Sequence, residues 1–418
     1  MATKHDGCSP ATGGRHTLTK QEAIDFLLSR VQPIADTETV PTGEGLGRVL
    51  AAPVTSAIAV PGWDNSAMDG YAIRHADLAI HDGQLRVAQR IPAGSTGHPL
   101  APATAARIFT GAPVPEGADT VVMQEVCEQT GDQVRIPLDC KCGGNIRRTG
   151  EDIQSGAEVI AVGTRLAPQH LGLAAAVGIA ALQVYRRLRV AVLASGDELA
   201  MPGEPLRPGQ IYNSNRFTLC GLLQGLGCEV VDLGIVADTL DATTAALTRG
   251  AHAADLIVAS GGVSVGEEDH LKPAIERLGT LDLWNIAIRP GKPVAFGQVA
   301  GTPVFGSPGN PVSLFVSFCL FARPLVLRRQ GQTGDLNPRT FKVRAGFDWP
   351  RAERRTEFHR ARLQTGEDGE PELAVFPSRS SAALTSVAWA DGFVEIPAGR
   401  VIRHGEPVDF IPFADLLH

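Results

Sequence analysis

Between residues 186 and 330 the sequence alternates short apolar runs with longer helical stretches, and this alternation limits the possible folds more than any other feature. The apolar runs that are short enough for buried strands are Val190–Ala194, Val230–Val236, Leu256–Ala259 and Val304–Phe305. The stretches with helical character are Asn215–Leu226, Asp241–Ala251, His270–Leu278 and Pro311–Leu327. Because strands that are apolar on both faces occur in parallel sheets covered by helices, the pattern predicts a doubly wound α/β domain.

A loop rich in glycine, serine and acidic residues follows each predicted strand. The four loops are Ser195–Glu198, Ala237-Asp238, Ser260–Asp269 and Gly306–Pro311. In an open α/β sheet, ligands bind beyond the carboxyl ends of the strands, so we expect these loops to lie along one rim. Taken singly, a Gly-rich loop is more often a tight turn, and an Asp after a strand is often a helix cap. The evidence for a functional site is therefore the convergence of all four loops.

The residue types of this rim indicate an anionic ligand together with a cation. Glycine lets backbone N–H groups turn towards a phosphate, and Asn310 before Pro311 is typical of a capped helix N-terminus. The rim also carries Glu198, Asp238 and Asp269, and carboxylates beside an anion require a positive charge. Because Mg²⁺ bridges carboxylates and phosphates, we expect a divalent cation there.

The regions on either side of this α/β pattern have other periodicities. Thr19 and Glu22 have capping-box spacing and begin a predicted helix, and a further short helix is expected around Leu46–Ala51. Residues 61–152 alternate short β-like pieces with turns, which predicts a small β-rich domain. From residue 340 onwards the pieces are β-like again and predict a C-terminal β-barrel or sandwich.

Composition excludes several classes of protein. The chain has 38 basic and 45 acidic residues, a net charge of −7 and no run of basic residues, so we expect no nucleic-acid or membrane partner. Its seven cysteines are odd in number and scattered, which predicts free thiols in the cytoplasm. The sequence contains no stretch of about 18 apolar residues, so we expect no membrane span. Residues 1–16 have the character of a mobile tail.

Familiar catalytic signatures do not account for the site. The sequence contains no Walker A motif, no strand-linked G-x-G-x-x-G, no H-E-x-x-H and no G-x-S-x-G. Two segments inside the β-rich region, Pro61–Ala72 and Thr110–Asp119, combine small polar residues, Asp and turn formers. We interpret them as ordered loops with a functional role.

These segments and the rim loops together resemble the molybdopterin molybdenumtransferase family, which includes MoeA and the gephyrin E domain. The motifs that carry the resemblance are D-N-S-A-M-D-G-Y-A, T-G-A-P-V-P-E-G-A-D, N-I-R-R-T-G-E-D-I, S-G-D-E-L, S-G-G-V-S-V-G-E-E-D and S-P-G-N-P. They occur in the family's order, and the resemblance extends from about Thr17 to the C-terminus.

The resemblance implies four domains and a homodimer. Residues 17–60 and 153–185 would form an elongated domain, into which residues 61–152 are inserted as the β-rich domain. Residues 186–335 would form the central α/β domain of the molybdopterin-binding type, and residues 336–418 a β-barrel. Each site would lie between the α/β domain of one subunit and the small domain of the other.

The resemblance also implies a reaction and the residues that perform it. Molybdate would be inserted into adenylylated molybdopterin with Mg²⁺ required, releasing AMP and molybdenum cofactor, and a molybdopterin adenylyltransferase would be the upstream partner. The implied catalytic residues are Asp69, Thr110, Glu198, Asp238, Asp269 and Arg289, of which Asp238 and Asp269 would bind the metal. The residues expected to bind the pterin substrate or molybdate are Ser195, Gly196, Gly261, Gly262, Ser264, Gly266, Lys292, Pro308, Gly309, Asn310, Arg355 and Ser381. Arg355 and Ser381 are the candidates for molybdate.

Two positions depart from the usual family pattern. Arg289 stands where the family usually has Lys, and His270 stands where an aromatic residue is common. Arg prefers bidentate contacts with oxyanions, so these changes affect positioning more than the class of reaction. Two other functions stay open: a molybdopterin-binding scaffold and a molybdopterin adenylyltransferase. The D-N-S-A-M-D-G-Y segment and the regions outside the α/β domain favour the transferase.

Overall fold

The computed structural model describes residues 17–263 and 269–417, so the predicted tail and the predicted site residues Ser264 and Gly266 lie outside the described residues. The chain forms two compact units. The first contains the described residues up to Glu38, Gly47–Ala51 and the chain from Val184 onwards, and the second contains Thr39–Leu46 and Ala52–Gln183. The strands Thr37–Pro41 and Ala181–Tyr185 lie at the division points. The four-domain division stays a prediction.

A seven-stranded sheet forms the centre of the first unit. In sheet order its strands are Thr17–Leu18, Gly279–Ile286, Pro293–Val299, Thr302–Ser307, Leu256–Ser260, Arg189–Ser195 and Glu229–Val236. The last four are mutually parallel and correspond to the four predicted strands. Along the chain, the second strand is added on one side of the first and the third on the other side. The topological switch point therefore lies between Arg189–Ser195 and Leu256–Ser260.

Helices cover both faces of this sheet, which confirms the doubly wound prediction. Alternate residues of one strand point to opposite faces, so Val190 packs in one apolar cluster and Ala191 in another. The helices of the first cluster are Lys20–Ser29, Ser214–Gly225 and the long helix Pro311–Arg329, and those of the second are Leu240–Ala253 and Leu271–Leu278.

The long helix Pro311–Arg329 begins directly at the rim of the sheet. It contains a π-helical turn at Phe318–Ala322. Within the described residues it is the one helix long and apolar enough to cross a membrane, with a mean hydropathy of 1.5. Because 89 % of its most apolar window is buried inside the protein, it is the core helix of this unit.

An antiparallel hairpin at one side of the sheet was not predicted. Gly279–Ile286 pairs antiparallel with Pro293–Val299, which in turn pairs antiparallel with Thr302–Ser307. Polar residues such as Asp282 and Gln298 interrupt the apolar pattern there, so local periodicity does not reveal the strands. The sheet is therefore mixed, with its parallel part at the predicted rim.

The C-terminal region forms a closed five-stranded β-barrel, as predicted. Its strands are Phe341–Ala345, Thr356–Thr365, Pro371–Val375, Gly392–Ile396 and Pro407–Pro412. The ring closes because each strand pairs with two others. A short strand, Ile288–Arg289, pairs with Thr356–Glu357 and so connects the barrel to the chain beside the hairpin. The helix Thr385–Trp389 and the 3₁₀ turn Phe413–Asp415 complete this region.

The second unit contains the predicted β-rich region. The strands of its six-stranded sheet are, in order, Thr120–Met123, Gly70–Ile73, Thr104–Ile108, Gln84–Ile91, Gln133–Arg135 and Glu128–Thr130. Two small antiparallel pairs are Asn65–Ser66 with Ile146–Arg147, and Val54–Thr55 with Glu158–Ile160. Its helices are His75–Ile80 and Pro168–Ala176, with 3₁₀ turns at Thr42–Glu44 and Gln124–Val126.

Local signals were correct at the first helix and wrong at one other. The Thr19 side chain accepts from the Glu22 N–H and caps the helix Lys20–Ser29. The Glu22 carboxylate accepts from the Thr19 N–H, which completes the predicted capping box. The helix predicted around Leu46–Ala51 is absent from the structure: Leu50 forms a β-bridge with Val184, so a tertiary contact overrides the local preference. The six described cysteines are free thiols, as predicted.

Candidate active site

The carboxyl ends of the parallel strands open into a cavity of about 450 Å³. Residues from all four predicted loops line it, and it includes the loops on both sides of the switch point. The predicted site residues in its wall are Ser195, Gly196, Glu198, Asp238, Gly261, Gly262, Asp269, Pro308, Gly309 and Asn310. The structure thus brings these residues together, and their individual roles stay predictions.

Glycine is required where the third loop leaves its strand. Gly261 and Gly262 have φ values of +89° and +70°, which side-chain-bearing residues rarely adopt. A Cβ added to Gly262 would lie 2.7 Å from the Leu271 Cβ and 3.2 Å from the Asp269 Oδ1. The Gly261 N–H donates to the Ser307 carbonyl at 3.0 Å. The loop therefore keeps its backbone close to the Asp269 carboxylate and to the neighbouring strand.

The fourth loop enters the long helix differently from the prediction. Asn310 occupies the N-cap position and Pro311 the first helical position, but the Asn310 side chain makes no capping hydrogen bond to described residues. The Asn310 carbonyl instead accepts from the Leu314 N–H at 2.9 Å. The helix thus starts where predicted, and the exposed Asn310 side chain belongs to the cavity wall.

Carboxylates are the charged groups of the described cavity wall. Glu198, Asp238 and Asp269 line it, and the described lining residues include no Lys, Arg or His. Within residues 17–263 and 269–417, no three His, Cys, Asp or Glu side chains form a metal cluster by themselves. Hard oxygen donors of this kind fit Mg²⁺, which commonly takes one or two carboxylates and completes its shell with water and substrate phosphates.

Two buried asparagines of the cavity wall were missed by the sequence analysis. Asn213 is 1 % exposed and caps the helix Ser214–Gly225 by accepting from the Arg216 N–H at 3.1 Å. Asn215 is 9 % exposed, and its Nδ2 donates to the Ser260 Oγ at 2.9 Å and to the Gly309 carbonyl at 2.7 Å. The available signal was the polar triplet Asn213-Ser214-Asn215 directly after the strand Ile211–Tyr212.

In the second unit the predicted residues Asp69 and Thr110 are in direct contact. The strands that follow and precede them are paired, with Gly70 opposite Ile108. The Asp69 Oδ1 accepts from the Thr110 N–H and from the Thr110 Oγ1, both at 2.8 Å. These bonds, the backbone one above all, lower the pKa of the partly exposed Asp69 carboxyl below its usual value. The pair presents an ionised carboxylate at neutral pH.

Asp64 joins the other motifs of this unit. Its carboxylate accepts from the Thr149 N–H at 2.8 Å and from the Arg148 guanidinium at 2.6 Å. Its carbonyl accepts from the Val114 N–H at 2.9 Å. The hydrogen bond from the Thr149 backbone is the main reason that the pKa of Asp64 is lowered. Asp64 therefore organises the segments around Asp69 and Thr110.

Arg289 lies at the barrel and outside the described cavity wall. Its Nη1 is 3.6 Å from the Glu357 Oε1 and 3.9 Å from the Glu353 Oε1. Arg379 contacts the same two carboxylates at 2.6 Å and 2.9 Å and was not selected by the sequence analysis. The nearby His359 is buried, and desolvation lowers its pKa to about 3. This network combines two guanidiniums, two carboxylates and a neutral imidazole.

The C-terminal candidates for molybdate occupy different places. The Ser381 carbonyl accepts from the Val312 N–H at 2.9 Å, which sets the Ser381 segment against the first turn of the long helix. Arg355 donates to the Ile288 carbonyl at 3.3 Å. The guanidinium that holds the Ser381 segment is that of the buried Arg360, which donates to the Ser378 carbonyl at 2.5 Å and to the Ser386 Oγ at 2.9 Å.

The remaining predicted residue of this unit is Lys292. Its side chain is exposed and lies outside the described cavity wall, while its neighbour Pro293 belongs to that wall. Its carbonyl accepts from the Ile286 N–H at 3.0 Å within the hairpin. The structure therefore places Lys292 at the turn next to the cavity.

Family models match almost the whole chain. The MoeA N-terminal region (domain I and II) matches residues 18–178, and a probable molybdopterin binding domain matches residues 191–328. The MoeA C-terminal region (domain IV) matches residues 342–413.

Similar proteins extend over nearly the same length. A molybdopterin molybdenumtransferase of Haemophilus influenzae is 39 % identical, with 96 % of this chain and 100 % of the relative covered. Molybdopterin molybdenumtransferase 2 of Mycobacterium tuberculosis is 39 % identical, with 90 % and 94 % covered. The crystal structure of a molybdopterin biosynthesis MoeA protein of Pyrococcus horikoshii is similar with a TM-score of 0.82 and 29 % identity, covering 95 % of this chain and 100 % of that one.

Proposed function

The chain belongs to the MoeA family, and we propose that it is a molybdopterin molybdenumtransferase that inserts molybdenum from molybdate into adenylylated molybdopterin and releases AMP. The observation that carries this proposal is the cavity at the switch point of the α/β sheet, where Gly-rich loops and three carboxylates meet. Such a wall suits a phosphate-bearing ligand accompanied by a cation.

Mg²⁺ is the cation that we assign to this site. Asp238 and Asp269 would hold it, with Glu198 in the same wall, and the phosphates of the substrate would complete its coordination. When bound, it supplies charge neutralisation between the carboxylates and the phosphates and polarises the phosphoryl oxygens.

The residues of the chain bind and position the two substrates. The backbone of Gly261 and Gly262 and the first turn after Asn310 hold the phosphate end, and the described cavity wall contains no histidine or lysine that would activate a protein nucleophile. We assign the attack to a molybdate oxygen on the pterin-side phosphorus of the phosphoanhydride; the bond from that phosphorus to AMP breaks and AMP leaves, so catalysis depends on orientation and on charge neutralisation. We assign molybdate to the Ser381 segment, with Arg355 as the candidate guanidinium and the buried Arg360 as the group that positions this segment, and the pterin phosphates to Arg289 and Lys292.

The same proposal includes a homodimer and a cellular context. Asp69 and Thr110 would complete the site of the partner subunit, so each dimer has two shared sites. The upstream partner is a molybdopterin adenylyltransferase, which supplies the adenylylated pterin, and the protein acts in the cytoplasm. The ionised Asp69 carboxylate supports a role beside a cation or a phosphate-bound metal.

The test is AMP release from adenylylated molybdopterin on addition of molybdate in the presence of Mg²⁺. The transferase releases AMP only when molybdate is present and consumes no ATP. An adenylyltransferase would consume ATP with molybdopterin and release pyrophosphate. A scaffold would bind molybdopterin without either reaction, and both of these results would contradict the proposal.

A further inference from the structure

We propose that Asn213 and Asn215 form a recognition site for the hydrogen-bonding edge of a nitrogen heterocycle, namely the pterin or the adenine ring of the substrate. The inference deepens the proposed function, on which it rests for the identity of the whole ligand. Neither residue belongs to the phosphate or metal positions assigned above. Both belong to the wall of the cavity at the switch point.

Backbone partners determine the orientation of both side-chain amides. The Asn213 oxygen must face the Arg216 N–H, because an NH₂ group cannot accept that bond. The Asn215 nitrogen must face the Gly309 carbonyl, which can only accept. The opposite amide orientation would place two donors or two acceptors against each other in each case. Asn213 therefore offers its Nδ2 and Asn215 its Oδ1 for a further contact.

Both of these remaining atoms are buried and have no hydrogen-bond partner among the described residues. Buried side-chain polar atoms are nearly always paired in native proteins, so two such atoms in one cavity wall indicate a partner supplied by a ligand. Asn213 is 1 % exposed and Asn215 is 9 % exposed, so bulk water does not satisfy these atoms, and a ligand reaches them when the surrounding cavity wall adjusts around it.

The chemistry of the ligand follows from the pair. Asn213 presents a donor and Asn215 an acceptor, so the ligand must offer an acceptor and a donor. An ionised phosphate or molybdate has only acceptors and would be repelled by the Asn215 oxygen, whereas a cation would satisfy that oxygen and oppose the Asn213 amide. The lactam edge of a pterin and the amidine edge of adenine each carry one acceptor next to one N–H donor. These two rings are the heterocycles of adenylylated molybdopterin.

The second asparagine is held rigidly enough to discriminate. Asn215 connects the end of one strand, at Ser260, with the loop after the neighbouring strand, at Gly309, so its free oxygen is fixed relative to the sheet. A site with a fixed, buried acceptor rejects ligands that cannot donate to it, because the acceptor would stay unpaired. Asn213 and Asn215 thus determine which ring the site accepts.

The key variant is Asn213→Asp, which keeps an oxygen for the Arg216 N–H and replaces the free donor by an acceptor. Asn213→Ser also keeps a helix cap, removes the amide donor and adds no charge. Asn337→Asp is the matched control, because it makes the same Asn-to-Asp change at a position outside the described cavity wall. Unfolding temperatures of all variants check that the fold is kept.

Dissociation constants are measured for adenylylated molybdopterin, AMP, neopterin and ribose phosphate. We expect Asn213→Asp to raise the dissociation constant of adenylylated molybdopterin about tenfold or more, with a smaller increase for Asn213→Ser and none for Asn337→Asp. The ring is identified by the probe whose affinity falls together with that of adenylylated molybdopterin: AMP for adenine, neopterin for the pterin. Ribose phosphate, which has no nitrogen heterocycle, keeps its affinity in the uncharged Asn213→Ser variant.

Three results would overturn the inference: unchanged binding of every probe with a nitrogen heterocycle in Asn213→Asp, a loss for ribose phosphate equal to that for these probes in the uncharged Asn213→Ser, or a wild-type protein that binds none of these probes. Molybdate-dependent AMP release, measured on the same proteins, keeps the two claims separate. Turnover with no effect of Asn213→Asp contradicts only the ring-recognition site. Ring-selective binding changes without any turnover in the wild type contradict only the transferase.

Discussion

Asp69 and Thr110 are 41 positions apart in the chain, and the Asp69 Oδ1 accepts two hydrogen bonds from Thr110 at 2.8 Å each. The contact exists because the strands next to these residues pair in one register, with Gly70 opposite Ile108. Its effect is to keep a partly exposed carboxylate ionised and oriented. The proposal that this carboxylate completes a site begun by another subunit is open to a direct test.

Subunit mixing tests that role. Asp69→Asn keeps an amide oxygen for the Thr110 donors, so the fold is retained while the charge is lost. We expect Asp69→Asn and Asp269→Asn to be inactive alone and to recover activity together, because a heterodimer places both changes in one site and leaves the other intact. Random pairing gives about a quarter of wild-type AMP release. No recovery, with subunit exchange verified by tagged subunits, would place the whole site within one chain.

Asp269 is expected to be needed for chemistry and not for stability. Asp269→Asn keeps the shape beside Gly262 and removes the charge that would hold Mg²⁺, so turnover falls about a hundredfold or more while the unfolding temperature is retained. Asp241→Asn is the matched control, since Asp241 is 93 % exposed and has only a 3.3 Å contact with Arg277. Near-normal turnover in Asp269→Asn would remove this residue from the mechanism.

Arg355 is expected to affect molybdate more than the pterin. Molybdate has two negative charges and no apolar surface, so its binding depends on charge-assisted hydrogen bonds. Arg355→Ala should raise the molybdate concentration for half-maximal AMP release about tenfold, leave pterin binding nearly unchanged and reduce competition by sulfate. The exposed neighbour Arg354→Ala serves as the control.

The same assay compares Arg355 with Arg360. Arg360→Lys cannot reproduce the bonds to Ser378 and Ser386, and Arg362→Lys is its control on the same strand, since Arg362 donates to the Trp389 carbonyl from an exposed position. A molybdate effect in Arg360→Lys without one in Arg355→Ala would show that molybdate binding depends on the Ser381 segment positioned by Arg360 and not on Arg355. Weakened pterin binding in Arg355→Ala, with molybdate dependence unaltered, would contradict this division of the site.

His359 makes stability depend on pH in the acid range. The folded protein keeps this buried imidazole neutral, with its pKa lowered to about 3 by desolvation and by Arg360, whereas the unfolded chain binds a proton near pH 6.5. The unfolded state therefore holds more protons between these values, and stability is full above pH 6.5 and falls as the pH decreases towards 3. The loss at pH 5 is about 2 kcal/mol.

His359→Gln should lose less free energy of unfolding between pH 7.5 and pH 5 than the wild type, as measured by urea denaturation at both pH values. The lost ring contact with Trp349, at 4.6 Å, lowers stability equally at both pH values and cancels in the difference. His404→Gln, at a 61 % exposed histidine, should keep the wild-type difference. An unchanged pH difference in His359→Gln would show that other groups cause the acid loss.

Elements whose signals are local could be predicted from the amino-acid sequence alone. The apolar runs predicted the parallel strands because a strand buried on both faces must be apolar throughout. Thr19 and Glu22 predicted the start of the first helix because the hydrogen bonds of a capping box join residues close in the chain. The loops after those strands were placed at one rim by the topology of a parallel sheet. The family motifs added the two residues Asp69 and Thr110, which no local pattern connects.

Contacts between segments that are distant in the chain became known only from the folded structure. The register of Gly70 opposite Ile108 joined Asp69 to Thr110, and the packing of Asn215 against Gly309 made a helix residue part of the cavity wall. The hydrogen bond from Arg360 to the Ser378 carbonyl identifies a guanidinium that the spacing of residues in the sequence does not indicate. Periodicity reports only how one segment buries its own side chains, whereas these contacts depend on which segments the whole chain brings together.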